Sequence, residues 1–401
     1  MWESGSTGFM LLATSLVMLM TPGLAFFYGG LASKRNILGI MIQSFVSLGI
    51  TTILWYAVGY SLCFSGSGAI FGNFDKAFLS GVDLHSVFNG DGKIPEYLFV
   101  AYQMMFAIIT PALITGAFTG RVSFKAYLIF LVAWQVFVYY PFVHMIWGGG
   151  MLAKWGVLDF AGGIVVHTIA GFAALASVIF IGARKDRNTK PNSIPLVAIG
   201  TGLLWFGWYG FNAGSELQVD EVTVQAFLNT DIAASFATIT WLIVEWRKEG
   251  KPKFVGLMTG AVAGLATITP AAGFVPVWAA AIIGVVSGLG CYWAVHMKNK
   301  LQWDDALDVW GVHGIGGLIG TIMLGVFAST AINANGADGL VFGNSGFFFK
   351  QLIATIASAI YAYVFTYIML WVINKITVVR VSEEHETAGL DKSQHEEDAY
   401  T

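Results

Sequence analysis

Eleven long apolar stretches follow one another along the 401-residue chain, at about 6–31, 37–62, 96–119, 124–147, 161–183, 195–213, 222–246, 254–272, 275–297, 306–330 and 345–375. Each comes near the roughly 20 residues that an α-helix needs to cross a bilayer. The runs are continuous and lack the alternation of membrane β-barrel strands. The chain therefore reads as an all-α polytopic membrane protein with eleven transmembrane helices. Only 11% of its residues are charged, against about 25% in an ordinary soluble domain. That composition argues against a disordered chain, and a net charge of −3 argues against a nucleic-acid partner. Cys63 and Cys291 lie in or beside apolar runs and read as packing residues.

Basic residues orient the runs. Seventeen of the 21 Lys and Arg residues lie in one alternating set of connecting segments, among them Arg35, Arg121, Arg184, Arg247, Lys298 and Arg380. The other set holds Lys76, Lys93, Lys154 and Lys350. Cytoplasmic loops carry the excess of Lys and Arg. The pattern predicts a multi-pass protein of the cell membrane, N-terminus outside and C-terminus in the cytoplasm.

Two segments read alike. Asp159 is followed by His167 and then Gly171, and Asp305 by His313 and then Gly317, at the same spacings. Ile109-Thr110-Pro111-Ala112 in the third run is echoed by Ile268-Thr269-Pro270-Ala271 in the eighth. Both echoes link one run to the fifth run after it. Five is odd, so the two halves enter the bilayer from opposite sides. The expectation is a five-plus-five inverted repeat, with halves at about 6–183 and 195–330 and a working site near the midplane between them. The eleventh run, 345–375, is an unpaired addition. The membrane domain covers 1–378, and an acidic cytoplasmic tail occupies 379–401.

Ionisable groups at membrane depth mark candidate sites. The repeat sets His167 and His313 at matching positions, where a pseudo-two-fold axis brings them face to face. Two imidazolium ions cannot coexist in a dry lumen. One ring would then donate to the other, and each could give or take a proton. The plainer reading is interhelical hydrogen bonding alone. Asp159 has two open roles, cation ligand or cap of the first turn of its helix. Asp304, Asp305 and Asp308 read as caps and loop contacts, Asp231 as an interhelical hydrogen bonder, and His144 and His85 as structural residues. Three aromatic patches approach the outer side: Tyr102 to Phe106, Pro141 to Gly148 and Phe206 to Ser215. A ring face attracts a cation by about 0.5–2 kcal/mol, but interfacial aromatic belts look the same.

These segments together make the chain resemble the ammonium transporter family (Amt/Mep/Rh), its Amt branch in particular. The likeness spans about 8–400. It rests on Phe27-Tyr28-Gly29-Gly30-Leu31, Phe106 to Leu113, His144 to Gly150, Asp159 to Gly163, Gly210 to Ser215, Val312-His313-Gly314 and Gly389-Leu390-Asp391. The resemblance implies a homotrimer with one pore per subunit, ammonium, ammonia and methylammonium as substrates, no enzymatic reaction, and no metal or cofactor. By the same resemblance, Trp147, Phe106 and Ser215, with Tyr102 beside them, recruit the cation. Phe106 and Phe211 form a gate, His167 and His313 line the lumen as twin histidines, and Asp159 supports the recruitment site. A trimeric PII signalling protein is the implied partner on the cytoplasmic side. The chain departs from the family pattern at Gly120 where Glu is usual, Tyr102 where Phe or Trp is common, Asp231 where Asn is usual, and Glu396 where Gly often follows His395.

The expected activity is recruitment of ammonium, its deprotonation near the gate, and conduction of ammonia past the histidines, with or without a separately relayed proton. Carrying a bare charge through such a lumen is expensive, and potassium has no proton to shed. Three other readings compete. A poorly conducting ammonium sensor would fail to take up methylammonium, a haem redox protein would show Soret absorbance, and a proton-coupled transporter of a small amine would need a roomier site.

Overall fold

A computed structural model describes residues 2–88, 93–187 and 190–400. The apolar runs form α1 Ser4–Leu31, α2 Ile37–Phe64, α3 Glu96–Ala117, α4 Phe124–Trp155, α5 Gly163–Ile181, α6 Ile194–Glu216, α7 Glu221–Glu249, α8 Phe254–Ile268, α9 Val277–Lys300, α10 Trp310–Phe327 and α11 Ser345–Ile376. Two short helices follow, α12 Glu383–Ala388 and α13 Leu390–His395. Among the described residues, strand-like pairing is confined to two isolated bridges, Val87 with Pro95 and Val122 with Arg380.

Ten of these helices are long and apolar enough to cross a membrane, whereas α8 is apolar but only 15 residues long. The expected eighth span ran to about residue 272. The helix stops at Ile268 because Pro270 has no N–H to donate into a further turn. The chain turns there instead, and Phe160 N donates to Pro270 O at 3.1 Å. Its counterpart Pro111 lies inside α3.

Local chemistry sets several ends. Asp220 and Thr223 form a capping box at the start of α7, which closes on Gly250 at φ 79° with Arg247 and Lys248 in its last turn. Ser123 and Ser193 cap α4 and α6. The α1 helix lies along α6, and α7 packs on α8 and α9. At the centre α5 crosses α10 so closely that a Cβ on Gly171 would collide with the main chain of Gly314. That contact brings the turns bearing His167 and His313 face to face.

The acidic tail is docked under the bundle. Asp391 accepts the N–H groups of Ile37, Leu38 and Gly39 at 2.9, 3.1 and 2.7 Å and so caps α2. Glu386 accepts from Lys185 N at 2.7 Å. Arg380 donates to Ile181 O and Ala183 O at 2.9 and 2.8 Å.

Candidate functional site

Side chains from five helices assemble into one file of rings. Trp147, half-buried near the end of α4, stands edge-on to Phe106 of α3 at 5.8 Å and 89°. Phe106 faces Phe211 of α6 at 4.2 Å, and each is 1% exposed. Phe211 lies 6.0 Å from the ring of His167, which lies 5.2 Å from that of His313 at 17°. The Nδ1 atoms of the two histidines are 3.2 Å apart, so one donates and the other accepts. Both rings sit in π-helical turns, Gly163–Thr168 at the start of α5 and Trp310–Gly314 at the start of α10.

Each turn is held by the aspartate eight residues before its histidine. Asp159 accepts from Gly162 N and Gly163 N at 2.9 and 2.6 Å through Oδ1, and from Ile164 N and Val165 N at 2.8 and 3.0 Å through Oδ2. Four donors use up the lone-pair directions of a carboxylate, so capping decides its role and nothing is left to ligate a cation. Its carbonyl accepts from Trp147 Nε1 at 2.8 Å. One residue thus ties Trp147 to the turn of His167. At the turn of His313, Asp305 Oδ2 accepts from Trp310 N at 2.8 Å.

Ser215 Oγ donates to Phe211 O at 2.9 Å. Tyr102 lies wholly buried behind Phe106, its hydroxyl 2.8 Å from Gly210 O, 2.9 Å from Phe211 O and 3.3 Å from Ser215 Oγ. Its hydroxyl braces the end of α6 beside Ser215. Trp208 was not singled out in the sequence, yet it stacks on His167 at 5.5 Å and 22° and donates to Thr269 Oγ1 at 2.9 Å. Its signal was its place three residues before Phe211, on the same face of a helix.

The lumen around the histidines has a free volume of about 10 Å³ and is lined by apolar side chains such as Leu24, Ile109, Leu113 and Val166. That is the threshold for a single water. Beyond His313 a wider cavity of about 510 Å³ opens, lined by Arg184, Arg187, Lys298, Asp304, Asp305 and Asp308. Asp304 pairs with Arg184 at 2.7 Å and with the fully buried Arg121 at 3.2 Å. Burial alone would push the Asp304 carboxyl up, but Arg184 and Arg121 override it and hold the group well below the usual carboxylate range. Asp308 pairs with Lys298 at 2.6 Å.

The remaining candidates are structural. His144 sits between Cys63 O and Gly68 O at 2.9 and 2.8 Å, pinning the loop that follows α2. His85 is exposed in that loop, where its N–H meets Asp83 at 2.7 Å. Asp231 accepts from Trp205 and Tyr209. Among the described residues no three His, Cys, Asp or Glu side chains are grouped to hold a metal ion.

The family model for the Ammonium Transporter Family matches residues 8–400. An ammonium transporter of Bacillus subtilis (strain 168) is 44% identical over 400 residues, covering 99% of both chains. Ammonium transporter Amt1 of Archaeoglobus fulgidus is 45% identical over 403 residues, covering 100% of both. The crystal structure of Candida albicans Mep2 superposes with a TM-score of 0.91 at 34% identity, over 100% of this chain and 93% of that one. This multi-pass membrane chain belongs to the ammonium transporter family, and its activity is transport of ammonium rather than catalysis of a reaction.

Proposed function

We propose that ammonium reaches this pore as a cation and crosses it as ammonia, its proton handed along the two histidines. The observation that carries this reading is the file of rings that leads from Trp147 into a narrow apolar lumen holding the His167–His313 contact. Trp147 and Phe106 supply ring faces to a cation. The Ser215 hydrogen is spent on Phe211 O, which leaves its lone pairs to accept from an N–H. Phe106 and Phe211 close the way to a hydrated ion, and a bare charge entering the lumen costs several kcal/mol, on the order of the burial penalties for unpaired ions. Ammonium escapes that cost by leaving a proton behind.

In the histidine pair, the ring whose Nδ1 donates keeps a lone pair on Nε2, and its partner carries hydrogen there. Ammonia therefore meets one acceptor and one donor. A proton taken up at the free Nε2 sends the Nδ1 hydrogen across to the second ring, whose Nε2–H then leaves to the cytoplasmic cavity. Currents from reconstituted protein, with ammonium and potassium compared side by side, test this. Ammonium should evoke current and potassium none, and the His167→Leu/His313→Leu double variant should lose the ammonium response. Unchanged current in that variant sinks the relay, and an equal potassium current sinks the dry-lumen filter.

The assembly that goes with this reading is a homotrimer in the cell membrane, each subunit with eleven spans, α8 among them, in a five-plus-five inverted repeat. The paired Asp caps and π-turns of α5 and α10 support the repeat. The excess of Lys and Arg on one side supports an outside N-terminus. Methylammonium serves as a traceable substrate. A PII signalling protein would meet the face formed by the docked tail and the cytoplasmic loops.

A further inference from the structure

The two aspartates that precede the histidines differ in one respect. Both oxygens of Asp159 are filled by amide N–H groups. Asp305 is only 1% exposed, yet Trp310 N reaches its Oδ2 alone. Among the described residues nothing donates to its Oδ1. The local backbone explains the difference. Gly162, at φ 118°, curls the following amides around the Asp159 carboxylate. Asp305 has no glycine in the matching turn. Asp308 makes the left-handed step there, at φ 59°, and its N–H goes to the main-chain oxygen of Asp305 at 3.3 Å. Buried polar atoms are nearly always hydrogen-bonded, and the exceptions call for an explanation such as a catalytic role.

Asp305 and His313 line the same cavity of about 510 Å³. They also ride on the same turn, since Trp310 N opens the π-helical turn that carries His313. The Nδ1 of His313 faces His167, so Nε2 is the nitrogen left to pass a proton onward. Of the three carboxylates in the cavity wall, Asp304 is held by Arg121 and Arg184, and Asp308 by Lys298. Among the described residues no Lys or Arg pairs with the Asp305 carboxylate; Lys298 Nζ donates to its main-chain oxygen instead. Arg187 is bonded to Gln302 Oε1 at 2.9 Å, and Tyr28 of α1 gives its hydroxyl hydrogen to Leu113 O at 2.8 Å. Burial pushes the Asp305 carboxyl up from its ordinary value; Lys298 opposes the rise and Asp308 adds to it. Proton transfer is most efficient when the group's pKa lies near the working pH.

We infer that Asp305 takes the proton that leaves His313 and returns it to ammonia at the end of the lumen. This rests on the relay proposed above and names its last member. The Nε2–H bond of His313 breaks, cavity water carries the proton, and an O–H bond forms at Oδ1. The neutral carboxylic acid then meets ammonia leaving the lumen. Its O–H bond breaks, a fourth N–H bond forms, and ammonium departs from a regenerated carboxylate. One proton and one ammonia enter the step, and one ammonium leaves it.

Ammonium-evoked current from full-length protein in vesicles tests this. Asp305→Asn keeps an oxygen for Trp310 N but cannot hold the proton. It should cut the current by about a hundred-fold, the low end for loss of a positioned proton-transfer group. Imidazole buffer on both sides of the membrane should restore part of that current and leave wild-type current as it was, because a mobile base takes over the transfer. Asp308→Asn removes the neighbouring charge that favours the protonated acid, at a backbone position that asparagine tolerates. Asp305 must be ionised to accept, so current falls as acidification protonates it, and in Asp308→Asn that fall should come at lower pH than in wild type. Full current from Asp305→Asn overturns the assignment and leaves the relay standing. So does a loss that imidazole does not repair, since a broken cap alone would give it. If Asp305→Asn does not fold, the Asp308→Asn profile decides, and an unshifted profile overturns the assignment. If ammonium evokes no current from wild-type protein, the relay and this assignment fall together.

Discussion

The Asp159 carboxylate accepts four main-chain N–H groups while its carbonyl holds the Trp147 indole. Hydrogen bonds to a charged acceptor contribute about 1.5–3 kcal/mol each. Asparagine at this position would keep one acceptor oxygen and aim an NH₂ at two amide hydrogens. Asp159→Asn should therefore lower the unfolding temperature and cut methylammonium uptake by about ten-fold to a hundred-fold, the effect of losing one such bond. Because the carboxylate has no capacity left for a cation, the defect should appear in maximal rate more than in half-saturation. Wild-type uptake by a correctly inserted Asn variant would refute the capping role. Tyr102 shows the limit of reading single residues. Its hydroxyl lies 2.8 Å from Gly210 O, and that contact depends on how α3 meets α6, which sequence spacing does not encode.

At the scale of elements, Asp304 ties three loops together. It pairs with Arg121 after α3 and with Arg184 after α5, and it stands beside Asp305, whose carboxylate caps the turn of His313. Its carboxyl is held well below the usual range. Its stabilising effect is therefore complete above about pH 4, the unfolded carboxylate value, and is lost as pH falls further, through the depressed folded value. Removing one partner of a buried pair costs about 3–5 kcal/mol. Asp304→Asn should unfold at a lower temperature than wild type at neutral pH, with the gap closing in strong acid. A gap that is constant with pH would refute the ion-pair account. The helices themselves were largely legible, because hydrophobic run length is a local property. So was the pairing of His167 with His313, because a repeated spacing survives without knowledge of the fold. The π-turns were not legible, since the close approaches around them, Gly163 to Pro270 and Gly314 to Gly171, are tertiary contacts that sequence spacing does not encode. The early stop of α8 was missed because Pro111 and Pro270 sit in identical Ile-Thr-Pro-Ala tetrapeptides, and only their neighbours decide which one a helix tolerates.

Across the whole molecule, charge is distributed so that the proposed conduction path meets almost none of it until the charged cavity beyond His313. Above His313 the lumen is walled by residues such as Leu24, Leu113 and Val262, while arginines, a lysine and aspartates crowd the cavity below. Potassium resembles ammonium in charge and size, so a polar wall would serve both. An apolar wall penalises both cations, but only ammonium can cross as a neutral molecule. A carboxylate inside the lumen would remove that distinction by stabilising any monovalent cation and drawing in water. Leu113 is 3% exposed and lines the lumen. Leu113→Asp should therefore raise potassium current relative to ammonium current by ten-fold or more, since relief of about 1.4 kcal/mol already gives that factor. The comparison is made in one reconstituted preparation, with thermal unfolding confirming that the variant is folded. An unchanged current ratio in a folded, conducting variant would mean that selectivity is decided before the lumen, at Trp147, Phe106 and Ser215.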